Sequence, residues 1–248
     1  MPATYEGKSA EDFVLGVDGC RAGWVAIRLD LSTGKTQAFV VPAFAALFTR
    51  VGAGARMIMI DMPIGLADTG RRACEQQARK LLSPLRHNSV FPTPRRPMLA
   101  FDDYAEANEW GKRQGKAAGG GLSKQAWMIT PKIREIDETI TPGDQHRLAE
   151  GHPEVAFLRL NGGRPCRYPK RKPEGAQERL TLLRGHGFIQ SEDHYRILKD
   201  VAGGGIARDD VYDACALALT AQARLTGDAL HLGDGATDAR GLKMEIWG

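Results

Sequence analysis

Four aspartates, Asp18, Asp61, Asp210 and Asp213, carry the chemistry that this sequence offers most directly. Asp18 and Asp61 each close an apolar run, V-L-G-V-D at 14–18 and M-I-M-I-D at 57–61. Asp210 and Asp213 stand three apart in R-D-D-V-Y-D-A-C-A-L-A-L-T-A, so a helix stacks Asp213 over Asp210 or Asp209 within one turn. Clustered carboxylates repel unless a cation neutralises them, and hard oxygen ligands suit Mg²⁺ or Mn²⁺. Two such ions, about 3.5–4 Å apart, activate water and stabilise the leaving oxygen in phosphodiester hydrolysis. Capping competes for the same acids, because helix first turns favour them. That reading suits Asp209, whereas Asp213 lies too deep in the helix to be a cap.

The elements on either side decide whether the aspartates can meet. Phe13 to Val17 is nearly continuous apolar sequence, the pattern of a central strand buried on both faces and ending at Asp18. Gly19 to Gly23 reads as a turn, Trp24 to Leu29 as a strand running back, and Lys35 to Val41 as a third. Pro42 to Val51 has helical spacing, and Met57 to Ile60 is an unbroken apolar strand. Meander, helix and strand in this order predict a right-handed crossover that sets the fourth strand parallel to the first. Both strands then deliver an aspartate to the edge where open α/β sheets bind ligands. A long helix from Asp209 to about Leu225, rich in small and apolar residues, can pack closely on that sheet.

The rest of the chain is read more coarsely. Residues from about 65 to 145 read as a helical insertion: a basic helix (Arg71 to Leu82), a proline-rich connection, an acidic helix (Asp102 to Trp110) and a helix from Ser123. The sheet is expected to resume at Arg147 to Glu154, followed by a helix to about Leu160 and short helices at Ala176 to Leu183 and Asp193 to Val201. A Gly203-Gly204-Gly205 hinge precedes the long helix, and the tail from Ala229 to Trp247 reads as a hairpin.

Composition bounds the class. The 248 residues carry a formal net charge of +4, with 42% hydrophobic and 26% charged residues, an ordinary globular balance. That length suits a single domain with one large core. No apolar run approaches the roughly 18–20 residues of a membrane span. Met1 to Phe13 has three acids and no apolar core segment, so no secretory signal is expected. Cys20, Cys74, Cys166 and Cys215 lie far apart without a C-x-x-C pair, which disfavours disulfides and zinc. The expectation is a cytoplasmic protein in a reducing compartment.

Positive charge is unevenly spread. Arg71 to Met98 holds Arg71, Arg72, Arg79, Lys80, Arg86, Arg95 and Arg96 against Glu75 alone, and Arg159 to Lys172 holds six basic residues and no acid. Such stretches either follow a phosphate backbone or form solvated arms. Arg79 and Arg86, seven apart, share a face if the helix extends that far, and then either grip phosphate or meet solvent. Lys124 opens a helix whose N-terminus either meets an anion or is simply capped by Ser123. Lys170, Arg171 and Lys172 are the expected polyanion contacts of the second stretch. Trp24, Trp127 and Phe91 are read as core residues rather than base-stacking platforms. His152, before a proline, is read as a turn or core residue ahead of a base or ligand-orienting role.

Several motifs in order resemble the domain of unknown function 429 family, whose members are described as predicted nucleases with a ribonuclease H-like fold. The matching pieces are V-D-G-C-R-A-G-W-V (17–25), I-D-M-P-I-G-L (60–66), A-R-K-L-L (78–82), S-V-F-P-T-P (89–94), G-L-S-K-Q-A-W (121–127), I-R-E-I-D-E (133–138), H-P-E-V-A-F (152–157) and D-D-V-Y-D-A (209–214). The resemblance spans roughly Val14 to Ala221. It implies a ribonuclease H-like mixed sheet, a three-stranded antiparallel meander plus parallel strands, flanked by helices. It implies metal-binding roles for Asp18 on strand one, Asp61 on strand four, and Asp210 and Asp213 on the final helix. Glu154 in H-P-E-V departs from the minimal ribonuclease H pattern, and is either a further ligand or base, or a cap for the helix after Pro153. The expected activity is metal-dependent hydrolysis of a phosphodiester with Mg²⁺ or Mn²⁺, the partner a nucleic acid or other phosphodiester, with a homodimer possible. Two alternatives stand: an actin-like ATP-binding or phosphotransfer protein, and a non-catalytic nucleic-acid-binding module.

Overall fold

A computed structural model describes residues 12–188, 197–198 and 205–248. Its centre is a five-stranded mixed sheet in the order β3-β2-β1-β4-β5. The strands are β1 (Phe13–Cys20), β2 (Gly23–Asp30), β3 (Thr36–Val41), β4 (Met57–Ile60) and β5 (Leu148–Glu150). β2 runs antiparallel to both neighbours, while β1, β4 and β5 are mutually parallel. The predicted parallel pairing of β4 with β1 is present, and the chain reaches β4 through α1 (Phe44–Ala46), which continues as a π-helical turn over Leu47–Val51. Two boundaries differ from expectation. β1 passes Asp18 and continues to Cys20, because pairing with β2 persists to a tight turn at Cys20↔Gly23. β5 stops at Glu150, because Pro153 starts the next helix and strand pairing ends.

The other helices of the described residues are α2 (Ala73–Leu81), α3 (Tyr104–Arg113), α4 (Lys124–Thr139), α5 (Pro153–Leu160), α6 (Pro173–Gly185) and α7 (Arg208–Thr226). With α1, the helices α4 to α7 enclose the sheet on both faces, which is why the central strands read as unbroken apolar runs. On one face Val14, Val25, Ile27, Met57 and Met59 pack against α5, α6 and α7. On the other, Leu15, Val17, Trp24, Ile58 and Ile60 pack against α1 and against Ile133 and Ile136 of α4. α4 is therefore a layer of the core, packed directly on the sheet. A small satellite core of Met98, Ala107, Leu122 and Ala126 joins α3 to the start of α4. The tail returns as β6 (His231–Leu232) paired antiparallel with β7 (Ile246–Trp247), next to α2. The four cysteines are free and buried. No helix of the described residues is long and apolar enough to cross a membrane. The helix expected over Asp193 to Val201 lies outside the described residues except Ile197 and Leu198, as does the hinge except Gly205.

One glycine sets how closely α7 approaches the sheet. A Cβ on Gly16, in the middle of β1, would fall 2.0 Å from the Ala214 carbonyl oxygen and 2.2 Å from the Ala218 nitrogen. Both neighbours are main chain, so the clash cannot be relieved by a rotamer change. Gly16→Ala is expected to cost about 1–3 kcal/mol or more through overpacking, read by urea unfolding. A loss under about 0.5 kcal/mol, the range of neutral surface changes, would contradict this contact.

Candidate metal centre

Asp18 lies on the α7 face of β1, two residues before the hairpin. Asp61 follows β4 directly, and its N–H donates to the Val17 carbonyl at 2.9 Å, which locks it beside β1. Asp213 lies in the second turn of α7, one residue before the Ala214 that touches Gly16. Parallel pairing and close helix packing thus bring three carboxylates together. One oxygen from each of Asp18, Asp61 and Asp213 lies within 4.8 Å of the other two. An ion bound about 2.1 Å from each oxygen spans up to about 4.2 Å, so small side-chain rotations close the set. Asp18 and Asp213 are buried and Asp61 is half-buried.

The neighbours of this triad are charged as well. Lys170, from the loop before α6, places its ammonium on Asp213 Oδ2. Glu154, at the second position of α5, is bound through Oε1 to Arg179, a fully buried arginine of α6. Glu154 makes no side-chain cap, so the capping alternative is not what the structure contains. Asp213 Oδ1 and Glu154 Oε2 are both buried without a hydrogen-bond partner. His152 caps nothing through its side chain; its Nε2 lies 3.4 Å from the Ser89 carbonyl and its buried Nδ1 has no partner.

Burial is the first cause of the electrostatic strain here. It holds the Asp18 carboxyl well above the usual 3.8, and repulsion from Asp61 and Asp213 adds to it. Burial likewise pushes Asp61 and Asp213 up to about 6, against the opposing pull of Lys170. The Lys170 ammonium is held more firmly protonated by Asp213, Asp18 and Asp61, which outweigh its own burial. Burial also lowers His152 and favours its neutral form.

Asp210 is outside the set of three. Its carboxylate accepts the Ala207 N–H at 3.0 Å, the return half of a capping interaction. The acid that serves the helix end is therefore Asp210 rather than Asp209, although Asp210 still adds repulsion at Asp18 and Asp61.

The expected basic contacts divide sharply. Lys170 is a member of the centre, not of a surface arm. Arg171, with Arg208 and Asp209, lines an open basin of about 420 Å³ that begins at Lys170. Lys172 is exposed at the N-cap of α6. Lys124 is exposed at the start of α4, where Ser123 accepts the Ala126 N–H at 3.1 Å and so caps the helix. Arg79 and Arg86 are not on one helix, because α2 ends at Leu81. Arg79 donates to the Val90 carbonyl, and Arg86 to the carbonyls of Cys166 and Arg167. Arg72, Arg95 and Arg96 are likewise turned inward. Arg72 pairs with Glu150 and Glu75, Arg95 donates to the Gly111 and Gly120 carbonyls, and Arg96 pairs with Asp137 and Asp238. The first basic stretch is thus mostly internal bracing, because a guanidinium satisfies several carbonyls or carboxylates at once. Trp24 is core, with its Nε1 donating to Glu135 at 3.0 Å, and Trp127 packs against the satellite core. Phe91 is 40% exposed, contrary to its core reading.

Residue spacing did not single out Arg179, Arg208 or the Arg72–Glu150 pair. A glycine inside an otherwise large apolar strand, Gly16, was the available signal for close helix packing. A family described as "Protein of unknown function (DUF429)" matches residues 16–238 of the chain. No curated protein and no solved structure matches it.

Proposed function

The chain belongs to the DUF429 family of proteins of unknown function, and from that premise we propose that it is a divalent-metal-dependent nuclease or phosphodiesterase on a ribonuclease H-like core. The carrying observation is the convergence of Asp18, Asp61 and Asp213, with Asp213 Oδ1 buried and unpartnered. A buried acceptor without a donor costs free energy unless a cation meets it, and this all-oxygen set suits Mg²⁺ or Mn²⁺. The strand order, with an antiparallel meander beside parallel strands, supports the ribonuclease H-like reading.

Asp18, Asp61 and Asp213 are the residues that hold the ion. When bound, it supplies an activated water and screens charge developing on the phosphoryl group. The chain's own residues do the rest. Lys170 keeps a fixed positive charge beside the carboxylates, and Arg171 and Arg208 offer guanidinium forks to a phosphodiester in the open basin. Glu154 is bound by Arg179 through Oε1, and its other oxygen is buried without a partner.

The test is hydrolysis of single-stranded, duplex and branched nucleic acid and of a small activated phosphodiester, each with Mn²⁺ or Mg²⁺ against chelator. Metal-dependent cleavage of any of them is the expected result. Mn²⁺ binding without cleavage would leave a binding module, and tight ATP binding in its place would favour phosphotransfer. If the substrate is a nucleic acid, affinity falls steeply with salt through counterion release. Arg171→Glu and Arg208→Glu then weaken binding alike for all sequences.

The raised carboxyls also set a pH dependence. Between the usual 3.8 and about 6 the folded chain keeps protons that the unfolded chain has lost. The cluster's contribution to stability is therefore greatest at the acid end of that window and declines as pH rises through about 6. Metal binding needs the ionised carboxylates and follows the opposite course. The gain in Tm from Mn²⁺ is expected to be small near pH 5 and full by about pH 7.5. A pH-independent gain in differential scanning fluorimetry would place the ion elsewhere.

A further inference from the structure

The Lys170 ammonium is delivered to the carboxylates by a loop whose main chain is held from several sides. Arg86 binds the Cys166 and Arg167 carbonyls at 2.9 and 2.8 Å. The Arg167 and Tyr168 N–H groups donate to Glu178 at 2.8 and 3.0 Å. Arg179, itself anchored on Glu154, donates to the Tyr168 carbonyl at 3.1 Å. The α6 helix then presses on the same loop, where a Cβ on Gly175 would fall 2.0 Å from the Pro169 carbonyl oxygen. A surface lysine needs none of this scaffolding. Residues from α5, α6 and the segment after α2 converge to fix the position of one amine.

That amine changes the charge count of the centre. Three carboxylates against one ammonium leave two net negative charges, which a single divalent ion neutralises. Asp213 Oδ2 is taken by Lys170, while Asp213 Oδ1, buried at 1% exposure, remains unpartnered. One oxygen of this carboxylate therefore serves a resident cation and the other is free for an ion. We infer that the centre binds one divalent ion, with Lys170 as a built-in cation in the place that a second ion takes in two-metal hydrolases. This rests on the metal reading proposed above. Lys170 is then a catalytic residue, positioned to meet the developing charge of the phosphoryl group, rather than a contact to the substrate backbone.

The experiment is a Mn²⁺ titration of the full chain at about pH 7.5, followed by calorimetry and electron paramagnetic resonance. The wild type is expected to bind one ion per chain with the six-line signal of isolated Mn²⁺. Lys170→Met, which keeps the stem and removes the charge, is expected to bind two, with the second ion spin-coupled to the first. Lys170→Arg keeps a cation and is expected to stay at one. Two ions in the wild type, or one in both wild type and Lys170→Met, would overturn the inference while leaving the metal reading intact. No ion in the wild type would overturn the metal reading and this inference with it. Should Lys170→Met fail to fold, the wild-type stoichiometry and Lys170→Gln still decide the question.

Discussion

Replacing Arg72 with methionine is expected to cost the folded state about 3–5 kcal/mol, because it strands carboxylates inside the protein. The Arg72 side chain is buried and forked onto Glu150, with Nη1–Oε2 at 2.6 Å and Nη2–Oε1 at 2.7 Å, and its Nε donates to Glu75 at 2.8 Å. It also donates to the carbonyls of Ile64 and Gly65, while Glu150 accepts the Ile64 N–H at 2.8 Å. The network thus clamps the loop that leaves β4 just after Asp61. Burial pushes the Glu150 carboxyl up, and Arg72 supplies the main opposing pull. Without the guanidinium, two carboxyls lose their counter-charge and the loop loses its brace. Urea unfolding measures the first effect, and weaker Mn²⁺ binding through a less constrained Asp61 reports the second. A cost below about 1 kcal/mol, the scale of an exposed ion pair, would show that the network is dispensable.

Asp18→Asn is expected to separate stability from function. The amide keeps the shape of the carboxylate and removes one of three converging charges. Because burial and its acidic neighbours hold Asp18 well above its usual pKa, the metal-free variant should be as stable as the wild type or more so at neutral pH. The wild type at a hundredfold excess of Mn²⁺ over Kd gains about 2.7 kcal/mol, which in a chain of this size is roughly 5–10 °C in Tm. The variant should lose almost all of that gain, together with any hydrolysis. The reverse pattern would end the metal-centre reading. In that case the wild type does not respond to Mn²⁺, and the asparagine variant is destabilised because its side chain is a weaker acceptor for the Gly19 N–H, which meets Asp18 Oδ1 at 2.6 Å.

Much of the scaffold is legible in local pattern. The apolar runs at β1 and β4, the turn between β1 and β2 and the parallel placement of β4 follow from period and length, and they bring Asp18 and Asp61 to neighbouring strands. Asp213 is legible as an acid too deep for a cap, followed by small residues suited to close packing. The ends of β1 at Cys20 and β5 at Glu150 needed more than spacing, since a strand continues only while its partner pairs with it.

The roles of the cations were another matter. From spacing alone, Arg79, Arg86 and Lys170 look equivalent, each a basic residue in a basic stretch. Arg86 became a loop brace and Lys170 part of the acidic centre, through contacts with residues far away in the chain. The acids divide as well: Asp210 turned back locally to its own helix end, whereas Glu154 was claimed by the distant Arg179. Residue order settles which strand and helix ends carry carboxylates, because backbone periodicity acts over a few residues. Long-range packing assigned Lys170, Arg86 and Glu154 their partners, because burial, which makes an unpaired charge costly, is a property of the assembled core and of no local stretch of chain.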